Sequence, residues 1–309
     1  MRLGIVDIGT LSLRFDVYQT EPPYAVSQLV HRYRSMPRIG KALAGEAPRA
    51  TAPIVEEFQR VRAQADEQQI DKLLAVGTSA LREAAGRELV DEIAQLTGIQ
   101  IRVLSGEDEA RLTSLGIFAN EPSLSGKIGL VDVGGGSTEL SFCEVGKSAQ
   151  VLSVDIGASR LEQMFFQERD PDTDLISETS LKAAKDYIEQ HLASLQSEAD
   201  KFDFDLLVGS SGTVRTLERL KIDKSSSGKL ISSSAISKFT LQLRNSSRKQ
   251  ILAIPGMERN RADVLLPGCL ILEAIMKTLD AREIQVTHFS LRHGVLEEEL
   301  QKLRADLLT

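Results

Sequence analysis

Cysteine is scarce: Cys143 and Cys269 are the only two in 309 residues, both in apolar surroundings and neither in a CxxC or Cys/His pattern. That excludes a disulfide framework and a thiolate zinc site, and it fits a reducing, cytoplasmic compartment. Long apolar runs are missing as well. No stretch approaches the roughly 20 residues needed to cross a bilayer. The opening Met1-Arg2-Leu3-Gly4-Ile5-Val6-Asp7 is interrupted by an acid too early for a secretory leader, so no membrane association is expected. Positive charge is in deficit: the formal net charge is −7. A protein that holds nucleic acid by bulk electrostatics is thereby excluded, and a polyanionic substrate would need basic residues gathered locally. The histidines His31, His191, His288 and His293 are scattered without ligand spacing and receive no role.

What is present is an internal echo. Ile5-Val6-Asp7-Ile8-Gly9-Thr10-Leu11-Ser12 near the start is matched by Leu130-Val131-Asp132-Val133-Gly134-Gly135-Gly136-Ser137-Thr138-Glu139 near the middle. Each copy is an apolar strand, then Asp, then glycine and hydroxyl residues. Alternation resumes beyond each turn, with Leu13, Phe15 and Val17 in one copy and Leu140, Phe142 and Val145 in the other. That pattern reads as a β-hairpin whose tight turn displays backbone N–H groups.

After the first hairpin the pattern predicts a strand near 24–33, a helix near 52–69, the strand Leu73-Leu74-Ala75-Val76 and a helix near 86–97. A short strand from Gly98 runs into a helix from Ser105 to about Asn120, with Ser105 as cap and Asp108 placed to complete a capping box. Strands alternating with helices place the chain in the α/β class. Turn residues in Asn120-Glu121-Pro122-Ser123-Leu124-Ser125-Gly126 mark a domain boundary. The second half predicts a helix near 178–195, a strand Leu206-Leu207-Val208, a helix from about Val214, a serine-rich loop over 221–234, and helices near 262–279 and 292–306. The expectation is a first domain over 1–124 and a second over 125–309, the last helix packing back on the first.

Three turns carry chemistry: Gly9-Thr10-Leu11-Ser12, Gly134-Gly135-Gly136-Ser137-Thr138 and Gly209-Ser210-Ser211-Gly212-Thr213. Glycine and small hydroxyl residues let the backbone approach a phosphate and aim several N–H donors at it, and the third turn also opens a helix. One such turn is ordinary turn chemistry. Three of them, two after a strand ending in Asp, point to phosphate.

These turns, with Gly77-Thr78-Ser79-Ala80-Leu81-Arg82-Glu83-Ala84, Ser105-Gly106-Glu107-Asp108-Glu109-Ala110-Arg111-Leu112, Leu266-Pro267-Gly268 and Ser290-Leu291-Arg292-His293-Gly294-Val295-Leu296, occur in a familiar order. The sequence resembles the exopolyphosphatase/guanosine pentaphosphate phosphohydrolase family, within the actin, sugar-kinase and heat-shock ATPase superfold. The resemblance spans the whole chain. It implies a duplicated actin-like α/β fold with two domains, an interdomain cleft and domain closure over substrate. It implies hydrolysis of the terminal phosphate of inorganic polyphosphate or a guanosine penta/tetraphosphate.

On this resemblance Glu109 is the general base and Arg82 neutralises a phosphate oxygen. Gly9, Thr10, Ser12, Gly134, Gly135, Gly136, Ser137, Ser211, Gly212 and Thr213 cradle phosphate. Asp132, Glu139 and Asp7 hold a divalent cation, for which magnesium is the natural choice because it binds through few carboxylates plus water and substrate phosphate. Glu107 and Asp108 are read as complements to the helix dipole. A homodimer is compatible. Leu11 departs from the pattern, since the family usually has asparagine there. Two other readings stay open: a kinase of the same superfold, because the turns cannot distinguish water from a hydroxyl acceptor, and a non-enzymatic polyphosphate or alarmone sensor.

Overall fold

A computed structural model of the chain describes residues 1–25, 27–44, 51–144, 150–198, 203–223 and 229–308. In chain order the first half holds strands β1 (Arg2–Ile8), β2 (Leu13–Thr20) and β3 (Ser27–Ser35), helices α1 (Ile39–Leu43) and α2 (Ala52–Glu67), strand β4 (Lys72–Gly77), helices α3 (Ser79–Arg82) and α4 (Ala84–Thr97), strand β5 (Ile101–Val103) and helix α5 (Gly106–Asn120). There follow strands β6 (Lys127–Val133), β7 (Thr138–Glu144) and β8 (Gln150–Val154), helices α6 (Ala158–Phe165), α7 (Glu178–His191) and α8 (Ala193–Glu198), strand β9 (Leu206–Gly209) and helix α9 (Gly212–Arg219). Strand β10 (Leu230–Ser232), helices α10 (Ser233–Arg244), α11 (Arg248–Leu252) and α12 (Ala262–Thr278), strand β11 (Glu283–Val286) and helix α13 (Leu291–Asp306) complete the described chain.

Among the described residues the chain divides into two compact units, Met1–Pro122 with Phe289–Thr309, and Ser123–His288. The first contains a five-stranded sheet in the order β3-β2-β1-β4-β5, the second a six-stranded sheet in the order β10-β11-β9-β6-β7-β8. Read from β8, the second sheet repeats the first: an antiparallel meander of three strands (β8, β7, β6), then two strands parallel to the central one (β9, β11), with β10 added antiparallel at the edge. The echo in the sequence is therefore a duplicated fold.

Strand alternation sorts the first unit's core. Val6, Ile8, Leu13, Phe15 and Val17 face one side of the sheet and join Ile54, Phe58, Val61, Leu89 and Ile93 of α2 and α4. Leu3, Ile5 and Tyr18 face the other, under Leu112 of α5 and Leu291, Val295, Leu296 and Leu300 of α13. Phe15 and Phe58 are fully buried, each contributing about 1.5–3 kcal/mol through its burial. In the second unit one core gathers Val131, Val133, Leu140 and Phe142 with the apolar α12. Among the described residues no helix is long and apolar enough to cross a membrane.

Several local expectations need correction. The 178–195 helix breaks at Leu192 into α7 and α8. The strand expected near 24–33 lies at Ser27–Ser35. The capping box at Ser105 is only half built: Ser105 Oγ accepts from the Asp108 N–H, while the Asp108 carboxylate accepts from the Ser105 hydroxyl at 3.2 Å. The serine-rich 221–234 segment is not one loop. Leu230–Ser232 pairs with β11, and Ser232 caps α10 while donating to Asp223 at 2.6 Å. Serines that look like loop composition are here a helix cap, because a hydroxyl serves both purposes. Ser225, Ser226 and Ser227, like Val145, lie outside the described residues.

Candidate active site

In the first unit the phosphate-type turn joins β1 to β2. It closes through the Gly9 N–H donating to Ser12 O at 2.9 Å, and α1 braces it from behind, with the Gly40 N–H on Thr10 O at 3.0 Å and the Arg38 N–H on Leu11 O at 3.2 Å. Thr10 Oγ1 is buried and has no hydrogen-bond partner among the described residues. Leu11 is buried, at 7% exposure. Asp7, the last residue but one of β1, is the register partner of Arg14 and lies 3.8 Å from its guanidinium.

The same edge of the sheet carries the proposed base. The Thr78 N–H bonds to Ile8 O and the Leu104 N–H to Gly77 O, so the segments after β1, β4 and β5 lie side by side at the carboxyl ends of parallel strands, where α/β folds place their ligands. Arg82, closing α3, and Glu109, in the first turn of α5, meet there: Arg82 Nη2 donates to Glu109 Oε2 at 3.2 Å. Both are partly exposed, at 24% and 15%. Asp108 lies 3.6 Å from Arg111 on the same helix, in line with its reading as a helix-start acid.

The second unit repeats the turn with more glycine. The Gly134 N–H donates to Ser137 O at 2.9 Å, matching Gly9 and Ser12. Here α6 takes up the turn's carbonyls: the Ala158 N–H bonds to Gly134 O, the Ser159 and Arg160 N–H groups to Gly135 O, and Arg160 Nε to Gly136 O at 3.1 Å. The turn is left to offer an anion its amides. A Cβ on Gly157 would lie 2.4 Å from the Gly135 carbonyl, so only glycine admits this contact.

Asp132 and Glu139 are register partners across the hairpin. Ser210 Oγ donates to Asp132 Oδ2 at 2.8 Å, and Ser137 and Ser153 donate to Glu139 Oε1 at 2.7 and 3.1 Å. Glu139 is 4% exposed. Ser211 caps α9 by accepting from the Val214 N–H at 3.1 Å, leaving Gly212 and Thr213 as the first helical amides. The Thr213 side chain packs on Gly268 of α12, which has no room for a Cβ.

The fit to a divalent ion differs between the two acids' surroundings. Asp132 and Glu139 offer hard carboxylate oxygens on adjacent strands, a donor set suited to magnesium. Asp7 belongs to the other unit and has a guanidinium beside it. Among the described residues no three His, Cys, Asp or Glu side chains converge as metal ligands. Magnesium here would depend on one or two carboxylates with water and phosphate.

Sequence reading gave no separate role to Arg14, Ser210 and Arg160, and Arg261 figured only among basic residues that could guide a polyanion. Arg14 was legible as the strand partner of Asp7. The place of Arg261 was not: its guanidinium lies against the Cα of Gly212, filling the place of a Cβ, and nothing in the residue order announces that contact.

A sheet-and-helix unit built twice, each copy with a glycine turn between its first two strands and the candidate residues at the carboxyl ends of the parallel strands, defines a duplicated actin-like α/β fold. Known proteins agree. The chain covers 98% of an exopolyphosphatase from Cytophaga hutchinsonii, itself 98% covered, with TM-score 0.85 and 25% identity. An Aquifex aeolicus Ppx/GppA protein superposes at TM-score 0.77 with 23% identity, 98% of each chain covered, and shows the same fold. Among curated relatives, exopolyphosphatase 1 of Mycobacterium leprae is 26% identical over 97% of this chain and 90% of its own length. A guanosine-5'-triphosphate,3'-diphosphate pyrophosphatase of Vibrio vulnificus is 29% identical over 75% of this chain, a match that spans only 45% of that relative. The chain belongs to the Ppx/GppA phosphatase family, whose model matches residues 26–303, and is by class a phosphoanhydride hydrolase.

Proposed function

We propose that the chain releases terminal phosphate from inorganic polyphosphate by attack of a water oriented by Glu109. The observation that carries this reading is the Arg82–Glu109 pair at 3.2 Å, on the strand-end edge that also holds the Gly9–Ser12 turn. Phosphoryl transfer needs an oriented water and neutralised charge more than a covalent nucleophile. Glu109 takes the water's proton, and Arg82, with a planar fork suited to phosphate oxygens, stands beside it. Within the second unit, taken by itself, the amides of Gly135, Gly136, Gly212 and Thr213 are donors suited to phosphate oxygens. Asp132 and Glu139 would hold magnesium, which when bound supplies charge neutralisation along the phosphate chain.

Polyphosphate is preferred to guanosine pentaphosphate because likeness to an exopolyphosphatase extends over nearly the full length of both chains, whereas likeness to the guanosine enzyme spans under half of that protein. The test is phosphate release from long polyphosphate, tripolyphosphate and guanosine pentaphosphate, each with and without magnesium. Faster release from polyphosphate is expected. Release from guanosine pentaphosphate alone would defeat the substrate assignment, and full activity in excess chelator would defeat the metal.

A further inference from the structure

Asp16 stands in the middle of β2, on the face where Tyr18 packs beneath α13, and it is 1% exposed. A carboxylate in that position is costly unless its oxygens are satisfied. Arg292 Nε donates to Oδ2 at 2.8 Å, Arg32 Nε to Oδ1 at 3.0 Å and Nη2 to Oδ2 at 3.1 Å, and the Tyr18 hydroxyl to Oδ2 at 3.3 Å. Arg292 also donates through Nη1 to Ser290 Oγ at 3.0 Å. Stability does not require such an ensemble, since apolar groups of similar volume usually replace a buried ion pair without loss. Its geometry is directional: a guanidinium with two fixed partners constrains the azimuth of a helix more narrowly than leucine contacts do.

The ensemble joins two parts of the proposed site. Asp16 lies four residues beyond Ser12 of the phosphate turn. Arg292 opens α13, and α13 is seated directly on α5. A Cβ on Gly294 would fall 1.7 Å from Leu112 O, and one on Gly116 would fall 2.4 Å from the Gly294 amide. Leu112 is three residues after Glu109 on α5. The turn, β2, α13 and α5 therefore form one stiff path from phosphate donors to carboxylate. A second tie on α13, from the exposed Lys72 Nζ to the buried Glu299 Oε1 at 2.7 Å, reaches the first residue of β4, at the opposite end of the strands from the turn.

We propose that Asp16 and Arg292 are positioning residues that set Glu109 relative to the Gly9–Ser12 turn, acting through α13. The proposal rests on the reading of Glu109 as base. Its test is a double-mutant cycle in the full chain. Asp16→Asn should lower kcat about tenfold to hundredfold, the range of a small misplacement, with KM held within about twofold. Combined with Glu109→Gln it should cost nothing more, because a positioned base that is absent cannot be misplaced. Glu299→Gln, which loosens α13 at its other tie, should leave kcat near wild type. Should Asp16→Asn fail to fold, Asp16→Leu with Arg292→Met removes the ion pair while filling its volume, and the same kcat loss is expected. Losses from Asp16→Asn and Glu109→Gln that multiply, or an equal kcat loss in Glu299→Gln, would overturn the positioning role alone. Wild-type turnover in Glu109→Gln would instead overturn the base assignment beneath it.

Discussion

At the scale of single residues the two hairpins show how one motif is turned to different ends. Asp7 and Asp132 occupy equivalent places, yet the first faces Arg14 and the second Glu139. One copy thus pairs its acid with a cation, the other places two acids together. Glu109→Gln is expected to fold normally and to lower turnover by about 10²–10⁴-fold, the contribution typical of a general base; steady-state phosphate release on the purified variant checks it. Leu11 is buried. Its side chain fills space where the duplicate has Gly136, so Leu11→Asn removes packing and buries an amide, and should cost about 2–4 kcal/mol. A thermal melt that did not move would mean the asparagine finds hydrogen bonds in the turn, and a gain in kcat/KM would then be expected. The glycines, Asp132 and Glu109 were readable because their chemistry is tied to short motifs. The contacts of Arg261 with Gly212 and of Ser210 with Asp132 were not legible, because they join residues far apart in the chain.

At the scale of elements, the strands and long helices followed from periodicity, and the errors cluster where polar residues serve two purposes. Ser232 reads as loop and acts as a cap. Ser290 reads as part of a motif and acts as the cap of α13, with His293 Nδ1 accepting from the Ser290 N–H at 3.0 Å to close a capping box. Gly294, in the same motif, has a steric reason to be glycine: α13 and α5 cross there with backbone against backbone. Gly294→Ala should therefore destabilise the protein by upward of about 3 kcal/mol, beyond ordinary overpacking, since a carbonyl on a helix cannot yield as a side chain can. Gly129→Ala is the comparison. Its Cβ would meet Leu207 Cδ1 at 3.1 Å, a movable side-chain end, and about 1 kcal/mol or less is expected. Denaturant unfolding of both variants measures the difference, and equal losses would contradict a backbone crossing.

For the molecule as a whole, buried groups that must stay neutral contribute to the loss of stability in alkali. Burial, and secondly the neighbouring Asp16 charge, push Tyr18 up from 10.0 to about 12, and burial pushes Cys143 from 9.0 to about 11. Both groups hold their protons longer folded than unfolded. The unfolded chain therefore binds fewer protons in the interval, and stability falls as pH rises: from about pH 9 to 11 for the thiol and from about 10 to 12 for the phenol. Each should remove about 1–3 kcal/mol across its window. Denaturant melts at pH 8 and pH 11 are expected to show that loss in the wild-type protein. Tyr18→Phe gives up one hydrogen bond to Asp16 at any pH, yet has no proton to lose, so its stability should drop less between the two pH values than that of the wild type. Cys143→Ala should flatten the lower part of the same curve. Because Tyr18 lies in the first unit and Cys143 in the second, the pair of variants also reports which unit gives way first under alkali. An unchanged difference between pH 8 and pH 11 in Tyr18→Phe would show that the phenol ionises without cost in the fold, and would remove Tyr18 from the set of groups that Asp16 holds.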